Sequence, residues 1–247
     1  MLRTRAQDII GIANGVDTAT WNPAIDKRIP ANFHSTDTSG KKVCKAELQK
    51  ALELPVTDAP VFGMVTRLVW DKGLDLLLSC LDDLLRKNVQ LVVLGAGDDV
   101  FEDALKQAEA RFPGKMRVQL GYDETLAHQI YAGSDFYLMP SRTEPCGLSQ
   151  MYAMLYGSIP VVHRTGGLAD TVIDASTANV ASNKATGFVF ASWSERAFQN
   201  MIARALKLYD EPEKFVALRR AAMSQDFSWE RSATTYVDLF YKAIAQP

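Results

Sequence analysis

The chain has 247 residues, with 27 Lys+Arg against 29 Asp+Glu, a formal net charge of −2 and 47% apolar residues. That apolar share excludes global disorder, the near-neutral charge leaves no basic footprint for nucleic acid, and the length fits one large domain or two small ones. Cys44, Cys80 and Cys146 form no Cys-x-x-Cys pair and the histidines are only His34, His128 and His163. Neither a disulfide scaffold nor a zinc site is therefore expected, and a reducing, cytoplasm-like compartment is. No run of about 18 apolar residues predicts a membrane span, and Met1-Leu2-Arg3-Thr4-Arg5 lacks the apolar core of a signal peptide.

Residues 22–60 read as irregular, with Pro23, Pro30, Pro55 and Pro60, and with one short helix at about 42–53 carrying Val43, Leu48 and Leu52 on one face. Six short apolar runs follow, at 61–66, 90–94, 116–120, 135–139, 160–163 and 187–190. Several are β-branched and nearly continuous, which suits strands buried on both faces. Helical patterns separate them. Leucines at 74, 77, 78, 81, 84 and 85 keep three- and four-residue spacing, as do Phe101, Ala104, Leu105, Ala108 and Phe112. This alternation predicts an α/β fold with a parallel sheet and helices on both faces. The tail reads as helical: 195–209, then a helix opening at Asp210-Glu211-Pro212-Glu213 with Asp210 as cap, then 229–245 with Ala233, Tyr236, Val237, Phe240, Tyr241 and Ile244 on one face.

Ligands of an open parallel sheet bind beyond the carboxyl ends of its strands, so the residues after each run carry the functional reading. Arg67 and Lys72 follow the first run and precede a helix start; they are either a diphosphate clamp or solvated surface charges. Gly95-Ala96-Gly97-Asp98-Asp99-Val100 starts like a dinucleotide fingerprint, but Val100 replaces the third glycine and two aspartates would face a pyrophosphate; a tight strand-to-helix turn is expected. Tyr122 either projects to stack on a base or sits in the core, and Asp123 caps the next helix. After the fourth run, Glu144 either bonds sugar hydroxyls or serves first-turn helix electrostatics, and Cys146 reads as a packing residue because no histidine partner is suggested. His163 reads as a satisfied or hinge histidine, and Thr165-Gly166-Gly167 brings backbone amides to a strand end where phosphate can meet them.

Taken in order, Arg67-Leu68-x-x-x-Lys72-Gly73, Gly95-Ala96-Gly97-Asp98, Gly121-Tyr122, Ser141-Arg142-x-Glu144-Pro145-Cys146-Gly147-Leu148 and Arg164-Thr165-Gly166-Gly167-Leu168-Ala169-Asp170-Thr171-Val172 resemble the C-terminal half of bacterial glycogen synthases and plant starch synthases. Asn14-Gly15-Val16-Asp17 and Trp21-x-Pro23 are similar to the segment leading into that half. The resemblance implies a Rossmann-like, doubly wound parallel sheet, the C-terminal domain of a retaining GT-B glucosyltransferase. It further implies transfer of glucose from ADP-glucose to the non-reducing end of an α-1,4-glucan, with no metal or other cofactor. Arg67 and Lys72 would neutralise the departing phosphate, and Glu144 would stand beside the donor glucose. The amides of Cys146, Gly147 and Leu148 would hold sugar hydroxyls and phosphate. Tyr122 would stack on adenine, Asn14 would touch the donor sugar, and Thr165, Gly166 and Gly167 would line the diphosphate pocket.

Two departures bear on the resemblance. Many related transferases carry a second Glu eight residues after the first, where Tyr152 stands here; the glycogen synthase branch resembles this chain there. The family's N-terminal half, with its Lys-x-Gly-Gly-Leu segment and most acceptor contacts, has no counterpart in these 247 residues. The expected organisation is a linker over 1–35 from an absent N-terminal domain, a nucleotide-sugar-binding domain over 36–228, and a helix over 229–247 that crosses back to the absent domain. Alone, the chain is expected to bind ADP or ADP-glucose weakly and to transfer little glucose, with glucan held mainly by the absent domain. Expected partners include neither nucleic acid nor membrane, and the expected location is the bacterial cytoplasm, or a plastid for a plant source. A non-catalytic nucleotide-sugar-binding or regulatory module is the competing reading.

Overall fold

The computed structural model describes residues 9–245. Six parallel strands form one sheet: β1 (Val61–Val65), β2 (Gln90–Gly95), β3 (Met116–Leu120), β4 (Phe136–Met139), β5 (Ile159–His163) and β6 (Phe188–Phe190), in the order β3-β2-β1-β4-β5-β6. β2 and β4 are buried at every residue, as continuous apolar runs require when helices cover both faces. Edge strand β3 instead alternates: Met116 and Val118 are buried while Gln119 is exposed. β1 pairs with β2 from Val61–Gln90 to Val65–Leu94, and with β4 through Phe62–Phe136 and Gly63–Tyr137. The winding reverses between β1 and β4, which opens a crevice at their carboxyl ends.

The connecting helices among the described residues are α1 (Ser39–Ala51), α2 (Leu74–Leu85), α3 (Asp99–Arg111), α4 (Glu124–Gly133), α5 (Ser149–Leu155), α6 (Gly166–Thr171), α7 (Thr177–Ala181), α8 (Glu195–Tyr209), α9 (Pro212–Met223) and α10 (Trp229–Ala245). α2 buries Leu74, Leu77, Leu81, Leu84 and Leu85, the face its spacing predicts. α8 spans the predicted range. α9 departs in its start: Glu211 occupies the cap position and Asp210 closes α8 instead.

The inner face of α1 also differs from expectation. Val43 is 48% exposed, while Lys41, Cys44 and Leu48 are buried. The helix turns this way because the Lys41 ammonium enters the interior and donates to the carbonyls of Tyr131, Ala132 and Tyr156 at 3.2, 2.8 and 2.9 Å. It thereby satisfies the open carbonyl ends of α4 and α5. Apolar periodicity cannot register a buried cation.

Residues 17–34 lie against α4 and α5. The Trp21 indole is sandwiched between His128 at 3.9 Å and Tyr152 at 3.8 Å, both rings nearly parallel to it. Beneath the stack, Asp26 accepts from the Tyr156 hydroxyl at 2.6 Å and bonds His128 Nδ1 at 2.7 Å. Burial opposes the charge on Asp26, but the Tyr156 hydroxyl, the Arg28 amide and His128 outweigh it and hold the carboxyl below its ordinary value. The segment is thus anchored by aromatic stacking and one satisfied carboxylate, although it has no regular secondary structure.

α10 buries none of its residues. Phe240, Tyr241 and Ile244 are 62%, 70% and 81% exposed. The helix is tied at its start to residues 13–16: the Val16 amide donates to the Phe227 carbonyl at 2.7 Å and Ser232 Oγ to the Ala13 carbonyl at 2.9 Å.

Candidate functional site

The carboxyl ends of the six parallel strands lie along one edge of the sheet, so their following loops meet there. After β1 the chain runs through Arg67 and Leu68 into a tight turn, Trp70–Lys72, and then α2. Gly73 joins turn and helix in the left-handed region at φ +72°, and a Cβ there would collide with the Pro140 carbonyl oxygen. Only glycine lets the β1 loop approach the β4 loop this closely.

That approach brings two predicted residues together. Lys72 Nζ lies 2.6 Å from Glu144 Oε2, with side chains 18% and 11% exposed. Ser141 Oγ lies 3.5 Å from the same carboxylate oxygen. Arg67 is exposed, and no side-chain partner engages it among the described residues. Of the two predicted cations, one is held by a carboxylate and the other is open.

The β5 loop closes on the β4 loop through glycine. The Gly167 amide donates to the Glu144 carbonyl at 2.9 Å. A Cβ on Gly166 would strike that carbonyl, and one on Gly167 would strike the Cys146 carbonyl. The two glycines therefore serve loop contact, and the Gly167 amide is already committed. The amides of Thr165 and Gly166 have no acceptor among the described residues, nor do those of Cys146, Gly147 and Leu148 ahead of α5. Gly147 sits at φ +71°, and buried Gln150 donates to the carbonyls of Cys146 and Gly147 at 3.2 and 3.0 Å. The carbonyls of this loop are satisfied from behind while its amides stay available, the arrangement an anion or a sugar hydroxyl needs.

The other predicted residues are not in this cluster. Tyr122 follows β3 with its ring 84% exposed, so the buried alternative is excluded; Asp123 caps α4 by accepting from the Leu126 amide at 2.9 Å. Asn14 is exposed beside the start of α10. The Gly95-Ala96-Gly97 turn makes internal bonds: Leu68 donates to Ala96, Asp98 to Leu68, and the Gly97 amide to Glu102. It is a tight strand-to-helix turn, as predicted. His163 bonds the Ser141 carbonyl through Nδ1 at 2.9 Å, a hinge contact.

Arg142 lies in the Ser141–Leu148 motif, but its spacing suggests no task for it. Its guanidinium lies between the indoles of Trp70 and Trp193, 3.7 and 4.2 Å from the ring centroids, and pairs with Asp75. Nothing in residue spacing links Trp193, beyond β6, with Trp70 beyond β1.

A sheet of this order, with its cations, carboxylate and glycine turns gathered at the carboxyl edge of the switch point, defines a Rossmann-like domain of the GT-B type. The pattern of the glycosyl transferases group 1 matches residues 46–221, and the chain belongs to that family. It is 45% identical over 243 residues to a glycogen synthase of Novosphingobium aromaticivorans, covering 98% of this chain and 50% of that one. It is 47% identical over 247 residues to a glycogen synthase of Thioalkalivibrio sulfidiphilus, covering 99% and 51%. The catalytic domain of Starch Synthase IV from Arabidopsis thaliana, solved with ADP and acarbose, superposes with a TM-score of 0.92 at 38% identity, covering 99% of this chain and 51% of that one. The chain spans about half the length of the curated relatives it matches. No helix among the described residues is long and apolar enough to cross a membrane.

Proposed function

We propose that this chain is the donor-binding half of an ADP-glucose-dependent glucosyltransferase of the glycogen and starch synthase type. The observation that carries the reading is the pairing of Lys72 with Glu144 beside open Arg67, at the β1/β4 switch point where the fold binds ligands. The relatives' names and the ADP and acarbose of the starch synthase structure supply the substrate class. In the reaction, the bond from glucose C1 to the diphosphate oxygen breaks, C1 joins the 4-oxygen of the glucan end with retention, and the proton of that 4-hydroxyl leaves with the departing diphosphate. ADP leaves with added negative charge, and Arg67 and Lys72 neutralise that charge where it develops, without a metal. Glu144 bonds the donor glucose, and Tyr122 offers a ring for adenine. Asn14 touches the donor sugar, the amides at 146–148 face sugar hydroxyls and phosphate, and Thr165, Gly166 and Gly167 line the diphosphate.

On this reading residues 1–35 act as a linker from an N-terminal domain, 36–228 hold the nucleotide sugar, and 229–247 cross back; residues 1–8 and 246–247 of these ranges lie outside the described residues. The exposed apolar face of α10 supports this organisation, since large contiguous apolar surface marks an interaction site. Most glucan contacts belong to the second domain, whose closure excludes water and orients the acceptor. The setting is a bacterial cytoplasm, or a plastid for a plant source. Calorimetric titration tests the donor site. ADP should bind saturably, and Arg67→Ala and Lys72→Ala should each weaken it by about ten- to a hundredfold, in the range for charge-assisted phosphate contacts. NADH binding without preference for ADP overturns the reading. Glucose incorporation into glycogen by this chain alone should stay near background; robust turnover would remove the need for a second domain.

A further inference from the structure

Arg142 lies two residues before Glu144, yet its side chain contacts different partners. Trp70 and Asp71, which share the tight turn with Lys72, meet it directly: the Trp70 indole stacks on the guanidinium at 3.7 Å and the Asp71 carbonyl accepts the Arg142 amide at 2.8 Å. Asp75, in the first turn of α2, pairs with its Nη2. Trp193 covers the other face at 4.2 Å and meets His163 edge-on at 4.9 Å, while His163 bonds the Ser141 carbonyl. The segments after β1, β4 and β6 thus converge on one planar cation, and His163 at the end of β5 backs Trp193.

We infer that Arg142 is a positioning residue that holds Lys72 in place for the donor phosphate, by clamping the turn that carries the lysine to the loop that carries Glu144. The inference rests on the donor-site reading above and deepens it. As a simple stabilising pair the arrangement is poorly made. Arg142 Nε and Asp75 Oδ1 are buried without partners among the described residues, which costs stability. Trp70 is 53% exposed, so little core depends on it. What the arrangement does supply is geometry. A guanidinium stacks on two rings and pairs in its own plane with a carboxylate, whereas a lysine ammonium, a flexible point charge, cannot do both.

The test is a double-mutant cycle read by ADP calorimetry, with thermal unfolding alongside. Arg142→Lys keeps the charge beside Asp75 but loses the two-sided stack. It should bind ADP about tenfold more weakly than the parent chain, with a thermal midpoint lower by no more than about 5 °C. In a Lys72→Ala background the same change should cause no further loss, because the group it positions is gone. Equal losses in both backgrounds, or a folded Arg142→Lys chain with parental ADP affinity, would overturn the inference. Should the arginine variant fail to fold, Trp70→Leu removes one face of the clamp at an exposed position and is judged by the same rule. Undiminished ADP affinity in Lys72→Ala alone would instead sink the donor-site reading, so the two failures are told apart.

Discussion

The two edges of the sheet handle charge in opposite ways. At the amino edge, Asp135 opens β4 and accepts from Lys45 at 2.8 Å, Arg219 at 3.0 Å and the Val61 amide at 3.1 Å. Burial opposes its charge, but Lys45 and Arg219 outweigh the burial and hold the carboxyl below its ordinary value. Lys41, nearby, is likewise enclosed: burial pulls its ammonium well below the usual lysine range, and three carbonyls receive it. At the carboxyl edge, among the described residues, Arg67 is open, Lys72 has a single carboxylate partner, and five loop amides lack acceptors. At the amino edge the buried charges of Asp135 and Lys41 are answered from within the fold, whereas at the carboxyl edge Arg67 and the loop amides leave binding capacity unfilled. A charged cluster by itself therefore does not mark a site; unfilled capacity does.

The largest expected effect breaks the closed edge. Asp135→Ala would leave Lys45 and Arg219 as neighbouring, largely shielded cations around an emptied site, with a loss of about 3–5 kcal/mol in urea unfolding. ADP affinity of the folded fraction should not change, because Asp135 lies at the opposite edge of the sheet. A loss below about 1 kcal/mol, the level of a surface pair, would show that this cluster is not the tie described.

Two buried carboxylates govern the acid limb of stability. In the folded chain the carboxyls of Asp135 and Asp26 are both held below the ordinary carboxylate range. A carboxyl lowered on folding contributes stability that is fully present above its unfolded value and is lost as pH falls through the folded one. Urea midpoints should therefore be nearly level from pH 7 to about 5 and fall below about pH 4. Asp26→Asn should fall less steeply across that limb. An unchanged acid slope in that variant would remove Asp26 from the account.

Much of this was legible in the sequence, and the reasons are specific. Continuous apolar runs located all six strands, because strands covered on both faces carry no polar alternation. The residues just beyond them located Lys72 and Glu144, because a parallel sheet delivers every carboxyl end to one edge. The pairing of Lys72 with Glu144 was not legible; it depends on Gly73 and Pro140 approaching across two loops. The Trp70–Arg142–Trp193 stack was hidden for the same reason, since its members come from three strand ends. The Trp21 sandwich lies in a segment without periodicity, where pattern reading has no purchase. The inward turn of Lys41 opposes the usual rule that lysine faces water, and so the face of α1 was misassigned at Val43.

The smallest effect tests the open edge most finely. Glu144 and Lys72 are 2.6 Å apart and mostly shielded from solvent. In the proposed function an arriving phosphate competes with Glu144 for that ammonium. Glu144→Gln keeps the shape but removes the competing charge, so ADP should bind several-fold tighter, a gain of about 1 kcal/mol for a partly screened pair. Glucose transfer by a complete two-domain enzyme should meanwhile fall, since the carboxylate beside the donor sugar is gone. The gain should shrink as salt rises toward about 1 M, where the screening length drops to about 3 Å. Unchanged or weaker ADP binding would mean that Glu144 orients Lys72 for the phosphate rather than withholding it, and the carboxyl edge would then be as pre-arranged as the amino edge.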